Sequence, residues 1–392
     1  MGLLLVTATG ICSMMGASIN VIPFMIQKNV PGIGPYVVPA FLFAAIPAVF
    51  AAYAYAILSS AMPRAGGSYL YASRGLSPYL GFIASFSQWF GLSIVIGVIS
   101  YIIVPFIRDI FFNLELNNIS DFLEIGYVRL FISLMLIWSF VLVNILGGKV
   151  YKNTLIPMLV IMFVLGSIVI ITGFIYDQKD FINSVLSTDN RVIETISDSK
   201  FDLKIFLTAA TLMFSSFIGF DAIAQTGNEA KNPTKNIPRA ILLAIFIVAS
   251  YYILFTVSVY NVVPWNFVAD ESLTKDITAP GLLSYVLPSF WGILIIIGAA
   301  IALINDLPAM ILSVSRLMFA WARDNIFPSS VAIIHSKFKT PYIAIIFVGI
   351  VASIGAIGSH FAGDFFLGID IMVTSMMINF LLMCVTIISI EK

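Results

Sequence analysis

The sequence predicts an all-α polytopic membrane protein, and three observations carry that prediction. Hydrophobic residues make up 60% of the 392 positions. Charged residues make up only 10%, against about 25% in an ordinary soluble domain. The apolar residues also gather into runs of about 18 or more, the length that crosses a hydrocarbon core. The formal net charge is zero, which excludes the basic surface that a nucleic-acid partner needs.

Ten spans are predicted, over 3–28, 35–61, 79–112, 128–146, 155–176, 205–229, 238–262, 286–322, 342–359 and 363–390. The first has no basic run before it and is followed by more spans, so it is expected to be an uncleaved helix. The third and eighth are long enough to tilt or project. Residues 62–78 form a turn-rich basic segment. Residues 113–127, 177–204 and 263–281 read as polar outer loops with at most short helices. Cys12 and Cys384 lie far apart in apolar helices and are expected to be buried small hydrophobes rather than a metal or redox pair.

Loop charge sets the orientation. Arg64, Arg74, Lys149, Lys152, Lys231, Lys235, Arg239, Arg316, Arg323, Lys337, Lys339 and Lys392 share one side, and the basic excess places that side, with the N-terminus, in the cytoplasm. The chain then reads as one transmembrane domain over 1–392, made of inverted halves at about 1–176 and 203–390. Five spans being odd, the halves must run in opposite senses. Each half opens with a helix interrupted by glycine, at Gly16-Ala17-Ser18 and at Phe217-Ile218-Gly219-Phe220-Asp221. Paired interruptions in inverted halves are the best sequence pointer to a central binding site. Asp221 reinforces it, because a carboxylate in hydrocarbon costs roughly 2.5–3.5 kcal/mol on insertion scales unless it has a partner or a purpose.

Four segments resemble the amino acid–polyamine–organocation (APC) transporter family: GASINVIPFMI (16–26), SSAMPRAGGSYLYASRGL (59–76), FIGFDAIAQTGNEAKNPTKNIPRAI (217–241) and SRLMFAWARDNIFP (315–328). They occur in the family's order and the likeness covers nearly the whole chain. The resemblance implies a leucine-transporter-type 5+5 inverted repeat with spans 1 and 6 broken. It also implies secondary transport of amino acids or related amines, with a polyamine or amine exchanger as the alternative. The sequence departs from the family pattern at Ile57, where Glu is common. It departs again in the fifth span, where Met162 or Ile161 stands in place of a Lys found in proton-coupled relatives. Ser215 occupies the place of a gating Trp. Many relatives have twelve spans; this sequence holds ten, so two are absent or the sequence is a fragment.

The resemblance also suggests a site. N–H groups at Gly16, Ala17, Ser18 and Ile19 suit a carboxylate, with the outer half-helix dipole adding the right sign. Carbonyls of Phe217, Ile218 and Phe220 suit an ammonium group, and Gly219 permits close approach. Gln88, Trp89 and Ser93 are pocket candidates from the third span; Ser375 and Asn379 are candidates from the tenth. Asp221 is expected to carry a proton, bind substrate amine or fix the break. Asn305 and Asp306 fall where sodium-coupled relatives have Ser or Thr, with carbonyls near Cys12 and Met15 completing the set. Asp306 is expected to couple transport to H⁺ or Na⁺, the alternative being a buried Asp satisfied by Asn305 and a chain break at Pro308. Arg64 and Arg239 are expected to pair with Asp324 or Glu229 at the inner face. No other cofactor is expected; the partners are a small-molecule substrate and the lipid bilayer. A membrane enzyme would need a nucleophile–base or metal pattern. His335 and His360 fall in predicted loops, and no such motif is present. A channel would need a ring of pore-lining groups rather than one asymmetric pair of broken helices.

Overall fold

The computed structural model describes residues 1–193, 200–274, 277–362 and 365–390, with backbone only at Ala17, Ser18, Asp189, Phe365 and Phe366. The described residues are nearly all helical and contain no strand. Ten helical segments are long and apolar enough to cross a membrane: Leu3–Asn29, Gly34–Ala61, Pro78–Asn113, Gly126–Ile145, Gly148–Ile175, Leu203–Gln225, Pro233–Val262, Ser289–Arg323, Tyr342–Ala362 and Leu367–Ile390. They are called spans 1 to 10 below. The predicted terminal pair Glu391-Lys392 and the predicted start of the last span at 363 lie outside the described residues.

Several predicted boundaries are corrected. The fifth span begins at Gly148 rather than 155, because its polar first turns continue as helix beyond the apolar core. The sixth ends at Gln225 rather than 229, where the chain leaves as turns. Residues 62–78 contain a helix, Gly67–Gly75, and are not merely a turn. The glycine pair that signals a turn instead starts this helix: Gly66 has φ +117° and Gly67 φ +41°, values that residues with a Cβ rarely adopt. His360 lies in the last turn of span 9 rather than in a loop. Cys12 is buried, whereas Cys384 is only half-buried.

Local chemistry explains where the elements begin. Ser77 caps span 3 by accepting from the Leu80 N–H at 3.2 Å, with Pro78 at the first helical position. Asp177 and Asp180 form a capping box for the helix Gln178–Asp189. Asp202 accepts from the N–H groups of Lys204 and Ile205 and starts span 6. The segment after span 7 folds into two further short helices, Trp265–Thr274 and Ala279–Leu283.

Span 3 is the hub, packed against spans 4, 8, 9 and 10 and against the helix Gly67–Gly75. Small residues allow that crowding: Gly97 lies on the backbone of Ala352–Ala356, and Gly355 on the backbone of Ile94. Several pairings recur when five is added to each span number. Spans 1 and 7 pack, as do 6 and 2; 3 and 10, as do 8 and 5; 2 and 10, as do 7 and 5. Spans 2 and 7, and 3 and 8, pack as self-paired sets.

Candidate functional site: the meeting of two broken helices

Both central helices are interrupted. Span 1 consists of Leu3–Met14 and Ala17–Asn29, with Met15 and Gly16 outside helical geometry between them. The break thus falls at Met15-Gly16, while Ala17 and Ser18 begin the outer half-helix; their side chains lie outside the described residues. Span 6 runs as a helix over Leu203–Met213, tightens to a 3₁₀ turn over Phe214–Phe217, becomes extended at Ile218, and reverses at Gly219 before the short helix Ala222–Gln225.

The two breaks touch. Gly219 has φ +135°, and a Cβ there would run into the Ser13 carbonyl and the Met14 amide of span 1. A Cβ at Gly16 would collide with the Asp306 carboxylate of span 8. Glycine is required at 219 by the backbone opposite and by its own φ, and at 16 a side chain would have to displace the Asp306 carboxylate. Tyr252 of span 7 donates its hydroxyl to the Met14 carbonyl, tying the end of the inner half-helix to the neighbouring span.

A cavity of about 30 Å³ lies at this meeting point. Ser13, Met14 and Ile22 of span 1, Val95 and Ile99 of span 3, and Ser215 and Ile218 of span 6 line it. Asp306 and Met310 of span 8 and Ile369 and Met372 of span 10 complete it. Its volume admits water-sized occupants, not an amino acid, so a larger solute requires the walls to part. The lining holds one acid and no base. Asp306 is 3% exposed and its Oδ1 has no hydrogen-bond partner; the buried Ser13 hydroxyl has none either. Ser215 donates to the Leu212 carbonyl at 2.6 Å. Span 8 continues through Pro308 as helix, so no chain break answers Asp306 there. Asn305 turns away from it, donating to Cys12 Sγ at 3.0 Å. A carboxylate held this way against apolar walls is costly while it lacks a partner.

The other candidates are distributed as follows. Met15 and Ile19 line a second, smaller cavity with Asn20, Met162, Tyr251 and Phe255. Cys12 packs with Tyr151, Leu155, Ala309 and Leu312 on the inner side of the break. Gln88 does not line the central cavity: its amide donates to Asp221 Oδ2. Asp221 also accepts from the Gly219 N–H at 3.1 Å. Ser93 and Trp89 are buried with unpartnered Oγ and Nε1, outside the cavity lining. Phe217 packs with Phe41 and Tyr252. Phe220 packs with Tyr55 and stacks on Phe380 at 5.1 Å. Neither ring lies over the cavity. The Phe220 carbonyl accepts from the Ile223 N–H at 3.1 Å. Ser375 packs on Gly91, and Asn379 donates to the Tyr55 hydroxyl at 2.7 Å.

The expected pairs of Arg64 and Arg239 are replaced. Glu229 pairs with Arg316 at 3.0 Å, and Asp324 accepts from the Tyr69 hydroxyl at 2.7 Å. Burial first, and the neighbouring Asp324 second, raise the Tyr69 hydroxyl above its ordinary value.

Sequence reasoning missed Ser13, Met14, Ile22, Val95, Ile99, Met310, Ile369 and Met372 as lining residues. Val95 and Ile99 share a face by their i, i+4 spacing, but nothing in an all-apolar helix says which face looks inward. Among the described residues no group of His, Cys, Asp and Glu is arranged to hold a metal ion.

The sequence profile described as amino acid permease matches residues 1–391. A branched-chain amino acid permease of Bacillus subtilis is 30% identical over 149 residues, which is 38% of this chain and 31% of that protein. An uncharacterized transporter of Mycobacterium tuberculosis is 36% identical over 152 residues, 38% of this chain and 33% of its own length. A chloroplastic cationic amino acid transporter of Arabidopsis thaliana is 29% identical over 208 residues, 49% of this chain and 35% of its own. The chain thus aligns with about a third of the length of these relatives. With the profile matched over nearly every residue and the two central helices broken where they meet, this chain belongs to the amino acid permease family.

Proposed function

We propose that the protein is a secondary transporter that carries amino acids across the cell membrane by alternating access, with its N-terminus in the cytoplasm, and that it is not an enzyme. The observation that carries this reading is the cavity between the two breaks, with aliphatic walls and one carboxylate lacking a partner at Oδ1. The substrate's carboxylate would meet the N–H groups from Gly16 onward, and its ammonium the carbonyls of Phe217 and Ile218. Its side chain would lie against Val95, Ile99, Met310, Ile369 and Met372, which favours a neutral aliphatic amino acid. A polyamine, the second reading, would bring two or more charges to a lining that holds one acid. The division into inverted halves, 1–176 and 203–390, would supply the rocking element.

Asp306 is the coupling group in this proposal, neutralised in turn by H⁺ or Na⁺. It lies against Gly16 in the break, so its charge state bears directly on the substrate's backbone donors. Purified protein in proteoliposomes is expected to accumulate a labelled branched-chain amino acid under a proton or sodium gradient, saturably. Asp306→Asn is expected to retain exchange of substrate while losing accumulation driven by the ion. Accumulation that keeps its dependence on pH and sodium in that variant overturns the coupling role. Conductance that does not saturate overturns transport in favour of a channel.

A further inference from the structure

Asp221 faces away from the central cavity, and its neighbours form a continuous buried chain. The Gly219 N–H donates to Asp221 Oδ1 at 3.1 Å, and Gln88 Nε2 donates to Asp221 Oδ2. Ser68 Oγ donates to Gln88 Oε1 at 2.5 Å, and Gln225 Nε2 approaches the same oxygen at 3.5 Å. Ser68, Gln88, Asp221 and Gln225 are all 0% exposed. The chain begins at the one residue of span 6 whose backbone is left-handed and ends in the short helix Gly67–Gly75. That helix is held at three further points. Tyr69 reaches Asp324 at the end of span 8, Gly67 lies directly on the Gln225 side chain, and Ser73 lies on Gly81 of span 3.

We propose that Gln88 is a positioning residue that makes the break in span 6 and the seating of the helix Gly67–Gly75 a single coupled element. The claim rests on the transport reading above only for its consequence, not for its geometry. A primary amide suits this role because it offers a donor and an acceptor from one rigid plane. The donor end holds a carboxylate that in turn holds the Gly219 N–H; the acceptor end holds Ser68. With these atoms buried, a shift of the Gly67–Gly75 helix leaves Gln88 Oε1 with only the long 3.5 Å approach of Gln225 Nε2. A rearrangement at Gly219 likewise leaves Gln88 Nε2 short of an acceptor. Movement at one end is therefore opposed until the other end moves, which is the behaviour required of a two-state element read from both sides. Parting of the cavity walls at Ile218 would then be linked to release of the Gly67–Gly75 helix from the inner face.

Hydrogen–deuterium exchange on the purified protein tests this without any substrate. Three variants are compared with the parent: Ser68→Ala, Gln88→Leu and the double variant. Ser68→Ala lies in the short helix, yet it is expected to speed exchange at Ile218–Ala222 by about tenfold, within the range of ordinary site-to-site coupling. Gln88→Leu is expected to speed exchange in both segments, and the double variant to match Gln88→Leu alone, because one chain is cut in either case. Faster exchange confined to residues 67–75 in Ser68→Ala, or additive effects in the double variant, overturns the proposal. In uptake assays Ser68→Ala is expected to lower the maximal rate about tenfold with KM within about twofold, since no cavity-lining residue is altered. A raised KM at an unchanged maximal rate overturns it as well. A parent protein without uptake counts against the transport reading and leaves the exchange result to decide this one.

Discussion

Gly219 shows what a single position contributes. Its φ of +135° and the Ser13 carbonyl opposite leave no room for a side chain. Gly219→Ala therefore combines backbone strain of about 1–3 kcal/mol with a collision inside the membrane. The expected outcome is a lowered midpoint in thermal unfolding and no measurable uptake; unfolding at the parent's temperature would show that the break relaxes without cost. Val95 and Ile99 make the opposite case, since their side chains meet the cavity and nothing more specialised is asked of them. Enlarging the wall with Ile99→Ala should shift preference toward bulkier apolar substrates. One methylene in an apolar pocket is worth about 1–3 kcal/mol, or roughly 10–200-fold in the ratio of kcat/KM, and this change removes several carbons, so a shift of at least about tenfold is expected. Competition between leucine and phenylalanine for uptake reads that ratio.

At the level of elements, ends matter as much as lengths. Span 3 is 36 residues long and begins on a Ser77 cap followed by Pro78. Ser77→Ala is expected to cost about 0.5–2 kcal/mol in stability while leaving KM for substrate unchanged, because the cap lies far from the cavity lining. The helix Gly67–Gly75 depends on Tyr69 in a pH-defined way. Its hydroxyl is raised above the ordinary tyrosine value by burial and by Asp324. A raised acid of this kind contributes stability that is fully present below the unfolded value, near pH 10, and is lost as pH rises through the folded one. Tyr69→Phe should therefore lower stability by about 0.5–1.5 kcal/mol equally across pH 6 to 9. Thermal unfolding at several pH values in that window checks it, and a cost that changes with pH there contradicts the assignment.

At the scale of the whole molecule, the turn segment that follows span 6 is joined to span 8 by Glu229 and Arg316. Arg316 is 7% exposed and its Nε donates to Glu229 at 3.0 Å. Glu229→Gln leaves a nearly buried guanidinium without its anion and is expected to destabilise the closed inner face by about 1–3 kcal/mol. Arg316→Gln should cost less, because Glu229 is half-buried and can be hydrated. The double variant should cost less than the sum. A cycle of thermal midpoints measures the coupling, and strict additivity would remove this pair from the inner closure. The same face shows why the expected partners Arg64 and Arg239 were misassigned: the loop charge pattern says which side a residue lies on, not which neighbour it meets.

The sequence by itself determined the membrane class, the number of spans, the glycine positions at both breaks and the burial of Asp221 and Asp306. Each of these follows from a local rule: run length, helix interruption, or the cost of charge in hydrocarbon. Only the tertiary structure decided which break touches which group, that Asp221 and Gln88 face the Gly67–Gly75 helix rather than the cavity, and that Val95, Ile99, Met310 and Met372 form its wall. The reason is physical. In a bilayer the lipid-facing and core-facing sides of a helix are both apolar, so periodicity carries little information about facing, and the packing of span against span has to supply it.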